Sequence, residues 1–215
     1  MPDSSQSAVV PTGPLAGIRV VDLTINVLGP VCTQILGDMG ADVIKVEAPE
    51  GDYVRYVGPG RSEGMSVFFL NLNRNKRSVV LDLKQPDARA ALMKLIEAAD
   101  VLVHSMRLGA ADRLGLSHKA VSAVNPRIVY ASATGYRQDS ARRDWPAFDD
   151  VIQGVSGIAA MNGHATGAAL FSYGDLRQIL RICAGFIDRH GLVCPRTNEQ
   201  GPGGSSCDDG YHGWL

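Results

Sequence analysis

The chain has 215 residues, of which 45% are hydrophobic and 20% charged, enough for one substantial core. Lysine and arginine (21) nearly balance aspartate and glutamate (22), so nucleic acid is not an expected partner. The sequence shows neither a basic, apolar leader nor a run of about 18 apolar residues, so a cytoplasmic protein that does not enter a membrane is expected.

Residues 1–13 are small and polar and are predicted to be a disordered lead-in. From residue 14 onward, short β-branched runs alternate with helical patterns. Strands are predicted at 17–23, 42–46, 78–83, 101–103 and 127–132. Helices are predicted at 29–40, 86–99, 110–114, 119–124 and 148–161.

This alternation predicts an α/β fold, with a Rossmann-like parallel sheet and helices on both faces. Ligands of such sheets collect beyond the carboxyl ends of the strands. The segments that follow Leu23, Val46, Val103 and Ser132 are therefore the first places to look for a binding site.

Two clusters suggest binding of a phosphate or polyanion but are better explained as surface structure. The glycines at 58–64 do not run directly from a strand into a helix, as a phosphate-binding loop does, and are interpreted as a turn. The basic run Asn73–Arg77 is interpreted as a solvated turn that leads into the third strand.

The cysteines do not predict a metal site. Cys183, Cys194 and Cys207 are separated by ten and twelve residues, a spacing that matches no zinc pattern. Cys32 lies in an apolar helical pattern and is expected to be a small buried hydrophobe.

Several spaced motifs, in the right order, resemble the N-terminal half of class III CoA-transferases, the formyl-CoA and carnitine CoA-transferase (CaiB/BaiF-like) family. The resemblance covers residues 14–168, and the motifs that carry it are 14–24, 29–30, 36–47, 73–78, 81–84, 99–102, 113–116, 125–127 and 146–150.

The resemblance implies a Rossmann-like large domain, here incomplete, and a small domain, in chains that form interlocked homodimers. It also implies an enzyme that moves CoA from an acyl-CoA to a carboxylic acid through an aspartyl intermediate. Coenzyme A is then a substrate, and no covalently bound cofactor is implied. The positions expected to contact CoA are Val27, Leu28, Leu81, Asp82, Leu83, Lys84, Ser105, Met106, Arg107, Arg113, Pro146, Ala147, Phe148 and Asp149.

Three of these positions have support from the residues themselves. Lys84, Arg107 and Arg113 follow predicted strands, where ammonium and guanidinium groups can bind the phosphates of CoA. Solvated surface charges are the alternative for each of them considered alone.

The sequence departs from its relatives at two positions in or beside this set. Leu108 stands where many members have the proline that fixes φ in the loop, so this restraint on the CoA-contacting loop is missing here. Phe148 aligns with the histidine base of related α-methylacyl-CoA racemases, and racemisation is disfavoured because phenylalanine cannot accept a proton.

No residue of this sequence matches the catalytic aspartate of the family together with its flanking residues. Its segment often reads Pro-Thr-Val-Ile-x-Asp-Lys in the family and aligns with residues 169–178, where Asp175 is only a weak substitute because its flanks differ. Degenerate codons, read from the second base of the Ala169 codon, permit Arg-Tyr-Phe-Pro-Thr-Val-Ile-Cys-Asp-Lys. We therefore predict that residues 169–215 are a frameshifted tail outside the family pattern; a genuinely divergent terminus is the alternative.

Three functions follow from these observations. The first is an inactive fragment of a CoA-transferase. The second is a non-catalytic module that binds CoA or another nucleotide through Lys84, Arg107 and Arg113. The third is a pseudoenzyme that pairs with a full-length relative.

Overall fold

The computed structural model describes residues 12–166. The predicted tail at 169–215, with Asp175, lies outside the described residues, and so does the predicted lead-in except for residues 12 and 13.

Strands and helices alternate through the described part of the chain, as the sequence predicts. The strands are β1 (Arg19–Leu23), β2 (Asp42–Glu47), β3 (Lys76–Val80), β4 (Val101–His104) and β5 (Val129–Ser132). The helices are α1 (Leu28–Asp38), α2 (Val67–Leu72), α3 (Pro86–Glu97), α4 (Leu108–Arg113), α5 (His118–Val124), α6 (Asp149–Val155) and α7 (Ile158–Thr166), with a short 3-10 helix at Tyr53–Tyr56.

The five strands form one parallel sheet in the order β3-β2-β1-β4-β5. The chain first adds strands on one side of β1 and then crosses to the other side. This order is that of the first five strands of a Rossmann fold. The predicted α/β fold with a Rossmann-like parallel sheet is confirmed.

Helices cover both faces of the sheet. On one face, Leu36 of α1 packs with Val20 and Val43. On the other, α3 and α5 contribute Ile96 and Val121 to a cluster with strand residues. The inner strands β1, β2 and β4 are buried almost throughout, as strands covered on both faces are, whereas the edge strand β3 is largely exposed.

Local signals explain where several elements end. Helix α1 stops before Gly40, which adopts a φ of +97°. Helix α3 begins at Pro86, a residue suited to the first helical position. Strand β3 begins two residues and ends three residues earlier than predicted, and just beyond its end Asp82 accepts a hydrogen bond from the Lys84 N–H and turns the chain toward α3.

One helix prediction is wrong, and one helix was not predicted. The single helix expected at 148–161 is two helices, because Gly157 adopts a φ of +79° after α6. Helix α2 was not predicted, since six mostly apolar residues carry no period that distinguishes a helix from a strand. Among residues 12–166, every helix falls short of the length and apolar character that a membrane crossing requires.

Candidate functional site

The carboxyl edge of the sheet has its switch point between β1 and β4. These strands are neighbours, and the helices that follow them pack on opposite faces, the arrangement beside which Rossmann-like sheets bind their ligands. One hydrogen bond joins the two exits: the Ile25 N–H donates to Ser105 Oγ at 3.0 Å. The loop 24–27 and the loop 105–107 therefore form one continuous surface.

The predicted CoA-contact residues lie in four segments at or beyond this edge. Val27 and Leu28 follow β1, and residues 81–84 follow β3. Residues 105–107 follow β4, with Arg113 at the end of the next helix, and residues 146–149 lead into α6. The segments after β1 and β4 are joined directly.

Several of these side chains face the protein interior. Val27 packs against Val31 of α1. Leu81, Leu83 and Met106 are partly buried against the cluster of core residues under α3. At these positions the side chain packs inward, so a ligand at this edge would contact the backbone and not the end of the side chain.

The basic side chains face solvent. Lys84, Arg107 and Arg113 are all exposed, and Lys84 and Arg107 form no ion pair with any residue between 12 and 166. Arg113 lies beside Gly109, whose N–H donates to the exposed carboxylate of Asp144 at 3.0 Å. This hydrogen bond and the charges of nearby arginines lower the pKa of Asp144.

The loop after β3 is held by two side chains. Asp82 Oδ1 accepts the Lys84 N–H at 3.0 Å. Arg89 of α3 donates to the carbonyls of Leu83 and Lys84, each at 3.1 Å. With its backbone fixed in this way, the loop presents the Lys84 ammonium group from a defined position.

The segment 146–149 approaches the sheet edge closely. A Cβ on Gly135, just beyond β5, would lie within 2.0 Å of Ala147 Cβ, so only glycine permits this approach. Phe148 caps α6 and is 59% exposed. Asp149 accepts a hydrogen bond from Gln153 at 2.6 Å.

A buried ion pair lies next to the loop after β1. Lys76 Nζ is 3.0 Å from Asp22 Oδ2, and the two side chains are 1% and 0% exposed. Lys76 also donates to the Pro30 carbonyl at 2.9 Å. The interpretation of Asn73–Arg77 as a solvated turn is therefore wrong for Lys76. Burial lowers the pKa of Lys76 from 10.5 to about 8, although the Asp22 carboxylate raises it.

A second buried pair joins β2 to the segment that follows it. Lys45 Nζ lies 3.0 Å from Asp52 Oδ2, with side chains 1% and 0% exposed. The Glu47 carboxylate accepts two hydrogen bonds of 2.7 Å from the Arg55 guanidinium group. It also accepts a hydrogen bond of 2.8 Å from Ser78 Oγ. Burial raises the pKa of Glu47, but these hydrogen bonds outweigh it and leave the pKa below its ordinary value.

Neutral groups hold the loop after β4. The Tyr130 hydroxyl donates to the Leu116 carbonyl at 2.7 Å, so it accepts from His104 Nε2 at 2.8 Å. His104 Nδ1 then accepts the Met106 N–H at 3.2 Å. This assigns the proton to Nε2, and burial lowers the pKa of His104 to about 4. The ring is neutral and fixes the start of the loop 105–107.

The sequence contained a signal for the buried pairs that the prediction did not use. Asp22 and Lys45 stand inside strands expected to be buried on both faces, where a charged residue requires a partner. Their partners, Lys76 and Asp52, are not recognisable from any local pattern. Within residues 12–166, no group of three or more potential metal ligands is present.

The strand order, with its switch point between β1 and β4, defines a Rossmann-like α/β protein, a fold in which ligands bind beyond the carboxyl ends of the strands. Residues 15–180 match the family model described as CoA-transferase family III, and the chain belongs to this family. The match extends twelve residues past position 168, where sequence analysis ends the family-like part.

Curated relatives carry the same family character. The chain is 40% identical over 158 residues to the acetyl-CoA:oxalate CoA-transferase of Acetobacter aceti, covering 73% of this chain and 40% of the relative. It is 38% identical over 161 residues to the succinate–glutarate CoA-transferase of Agrobacterium fabrum, covering 72% and 40%. The chain thus spans about two fifths of the length of these relatives.

Solved structures agree in fold. A CaiB/BaiF family protein from Brucella suis superposes with a TM-score of 0.70 at 34% identity, covering 82% of this chain and 50% of that one. A hypothetical protein from Mycobacterium tuberculosis superposes with a TM-score of 0.69 at 33% identity and the same coverage.

Proposed function

We propose that residues 14–168 bind CoA and CoA thioesters at the carboxyl edge of the sheet, as part of the large domain of a CoA-transferase. The complete enzyme would move CoA from an acyl-CoA to a carboxylic acid. The observation that carries the proposal is the joined switch point, where the Ile25 N–H meets Ser105 Oγ in a chain of this family.

The exposed cations at this edge suit a phosphorylated ligand. Lys84 and Arg107 each follow a strand end and have no acidic partner among residues 12–166, so their hydrogen-bond donors are available to the phosphates of CoA. Met106 and Leu83 lie beside them and pack inward, which leaves their backbone to line the surface. CoA binds here as a dissociable substrate.

Calorimetric titration of the 215-residue chain with CoA tests the binding step. Arg107→Met is expected to weaken binding about tenfold, because a charge-assisted hydrogen bond is lost. The matched control is Arg77→Met, which removes an exposed arginine at the start of β3, away from the ligand edge. Absence of binding by the unmodified chain at millimolar CoA contradicts the proposal.

We further propose that these 215 residues do not complete the transfer, because no residue matches the nucleophilic aspartate of the family pattern. The purified chain is expected to show no thioester exchange with succinyl-CoA and a carboxylate acceptor. Exchange that Asp175→Ala abolishes would instead identify Asp175 as the nucleophile. Interlocked dimers, which the resemblance implies for complete family members, are not proposed for these residues by themselves.

The origin of residues 169–215 is also a proposal. A single frameshift near Ala168 explains why the neighbouring frame permits the family pattern. Nucleotide sequencing across codons 160–220 decides the matter: a downstream frame without the family pattern means that the tail is a genuine divergent terminus.

A further inference from the structure

The loop Thr24–Asn26 at the switch point is held at every backbone N–H. Its three successive N–H groups donate to Asp22 Oδ1 at 2.8 Å, Ser105 Oγ at 3.0 Å and Asp52 Oδ1 at 3.2 Å. The loop nonetheless lies at the surface, since Ile25 is 52% exposed. Water usually satisfies such amides, so three side-chain acceptors in a row make this loop unusually well defined.

Lys45 and Asp52 hold the same loop from two sides. Lys45 Nζ donates to the Thr24 carbonyl at 2.8 Å, and Asp52 accepts the Asn26 N–H. Asn26 has a φ of +66°, a conformation that a non-glycine residue keeps only when its surroundings impose it. The carboxylate of Asp52 supplies one of these constraints.

Asp52 is itself held on a rigid element. Its N–H donates to Glu47 Oε2 at 3.1 Å, and Glu47 ends β2. Its Oδ1 also accepts the Val54 N–H at 3.2 Å and caps the 3-10 helix. The position of Asp52, and through it that of the Asn26 amide, is therefore fixed by the sheet.

A buried ion pair is an expensive way to achieve stability alone. Removing two charges from water costs about as much as their attraction returns, and apolar residues of similar size often serve equally well. An apolar pair, however, cannot donate a hydrogen bond to a backbone carbonyl and accept one from a backbone N–H. The Lys45–Asp52 pair does both, which points to a role in geometry.

We propose that Lys45 and Asp52 are positioning residues, which hold the loop Thr24–Asn26 in the conformation that receives the CoA thioester. Both are buried and act through the loop backbone, without touching the ligand. The inference rests on the proposed function for the identity of the ligand. The order of the loop is a property of the free protein and can be measured separately.

Amide hydrogen exchange, followed by NMR on the full 215-residue chain, measures that order. In the unmodified protein the amides of Thr24–Asn26 are expected to exchange slowly, because each donates to a side-chain acceptor. Lys45→Met/Asp52→Leu removes both charges together, so no unpaired charge stays buried. Exchange of these three amides is expected to accelerate about tenfold or more, while strand amides stay protected. An unchanged rate in this double variant overturns the proposal.

A milder variant covers the case in which the first does not fold. Lys45→Met/Asp52→Asn keeps an amide oxygen for the Asn26 and Val54 N–H groups and loses the bond to the Thr24 carbonyl. A smaller acceleration, about threefold, is expected because only one bond to the loop is lost, from Lys45 to the Thr24 carbonyl, and the others to the loop stay. No acceleration in a folded protein contradicts the proposal. The matched control is Asp42→Asn, an identical change at the other end of β2, which leaves loop exchange unaltered.

Calorimetric titration with CoA then links loop order to binding. The double variant is expected to bind CoA about tenfold more weakly than the unmodified chain, since the loop must be ordered on binding. Asp42→Asn keeps the original affinity. Failure of the unmodified chain to bind CoA refutes the proposed function alone, because hydrogen exchange still decides the positioning role. Unchanged affinity despite accelerated exchange refutes the link between the loop and the ligand.

Discussion

The two ends of β2 carry ion pairs of opposite character. At its start, Asp42 binds Arg19 and Arg77, and the three side chains are 31%, 43% and 65% exposed. Toward its other end, Lys45 pairs with Asp52 of the segment that follows the strand, and these side chains are 1% and 0% exposed. The same kinds of charge therefore lie in water at the amino edge of the sheet and in the interior near the ligand edge.

This difference shows what each set of charges does. Exposed pairs contribute roughly 0–1 kcal/mol and tolerate loss. Buried pairs contribute little net stability, but breaking one leaves a charge without water or a partner. In this chain both buried pairs contact the loop after β1: Asp22 accepts the Thr24 N–H, Lys45 donates to the Thr24 carbonyl and Asp52 accepts the Asn26 N–H. At the carboxyl edge of the sheet, buried charged side chains thus hold the backbone of the loop after β1 in place.

Breaking one partner at each end of β2 gives the largest expected contrast. Lys45→Met leaves Asp52 buried and unpaired, and the free energy of unfolding is expected to fall by about 3–5 kcal/mol. Asp42→Asn, at the exposed end, is expected to cost less than about 1 kcal/mol. Urea unfolding monitored by circular dichroism measures both. Equal losses would mean that burial does not distinguish the two ends.

The carboxyl edge of the sheet also contains a neutral, buried histidine, His104, whose protonation in acid is expected to destabilise the fold. His104 is neutral in the folded protein down to about pH 4, whereas its ordinary pKa is 6.5. The unfolded chain therefore binds more protons between these values, and stability is lost as the pH falls from about 6.5 to about 4. The full loss is about 3 kcal/mol.

A pair of histidine variants isolates this effect from the titration of carboxylates. His104→Asn keeps an acceptor near the Met106 N–H but cannot titrate, so its stability is expected to fall less steeply between pH 6.5 and pH 4. His118→Asn removes an exposed histidine that also contacts the Tyr130 ring and retains the acid-dependent loss. Parallel pH profiles for His104→Asn and the unmodified chain would contradict the assignment of a neutral, buried ring.

The fold could be predicted from the sequence because its signals are local. Each strand is an apolar run between turn residues, and the alternation with helices leaves few topologies. Strand ends shifted where a side chain intervened, as Asp82 does after β3. The break at Gly157 was missed because a glycine within a helical pattern does not reveal its own φ.

The candidate site could be predicted only in part from local sequence signals. Strand ends indicated the ligand edge, but positions such as Val27 and Ser105 came from the family resemblance. The buried pairs join residues far apart in sequence: Lys76 and Asp22 are 54 residues apart. No periodicity encodes such a pairing, because it depends on which strands become neighbours.

The glycines at the two ends of α1 approach neighbouring segments at different distances, and this difference gives an intermediate effect. At the start of α1, a Cβ on Gly29 would lie 2.3 Å from Thr24 Cβ. Gly29→Ala is therefore expected to lower the free energy of unfolding by about 1–3 kcal/mol through overpacking. It is also expected to displace the loop Thr24–Asn26, which hydrogen exchange can detect.

Gly37, near the other end of α1, is the matched control. A Cβ there would lie 3.1 Å from the Asn75 carbonyl oxygen, a tight contact that a small shift can relieve. Because alanine favours a helix by about 1 kcal/mol over glycine, Gly37→Ala is expected to be nearly neutral. If thermal melts show a greater loss for Gly37→Ala than for Gly29→Ala, the close approach at the ligand edge is not a constraint.

The smallest expected effect concerns the single hydrogen bond across the switch point. Ser105→Ala removes the acceptor of the Ile25 N–H. Because this amide lies at the surface, it can form a hydrogen bond with water instead, and the free energy of unfolding is expected to fall by about 1 kcal/mol or less. Ser132→Ala, at the end of β5, is the control, since Ser132 Oγ accepts only a long contact of 3.5 Å from Gln138. Urea unfolding gives both values, and hydrogen exchange at Ile25 gives the sharper result. Faster exchange of the Ile25 amide in Ser105→Ala but not in Ser132→Ala means that the exits of β1 and β4 act as one surface; equal exchange in both variants means that the two loops are independent.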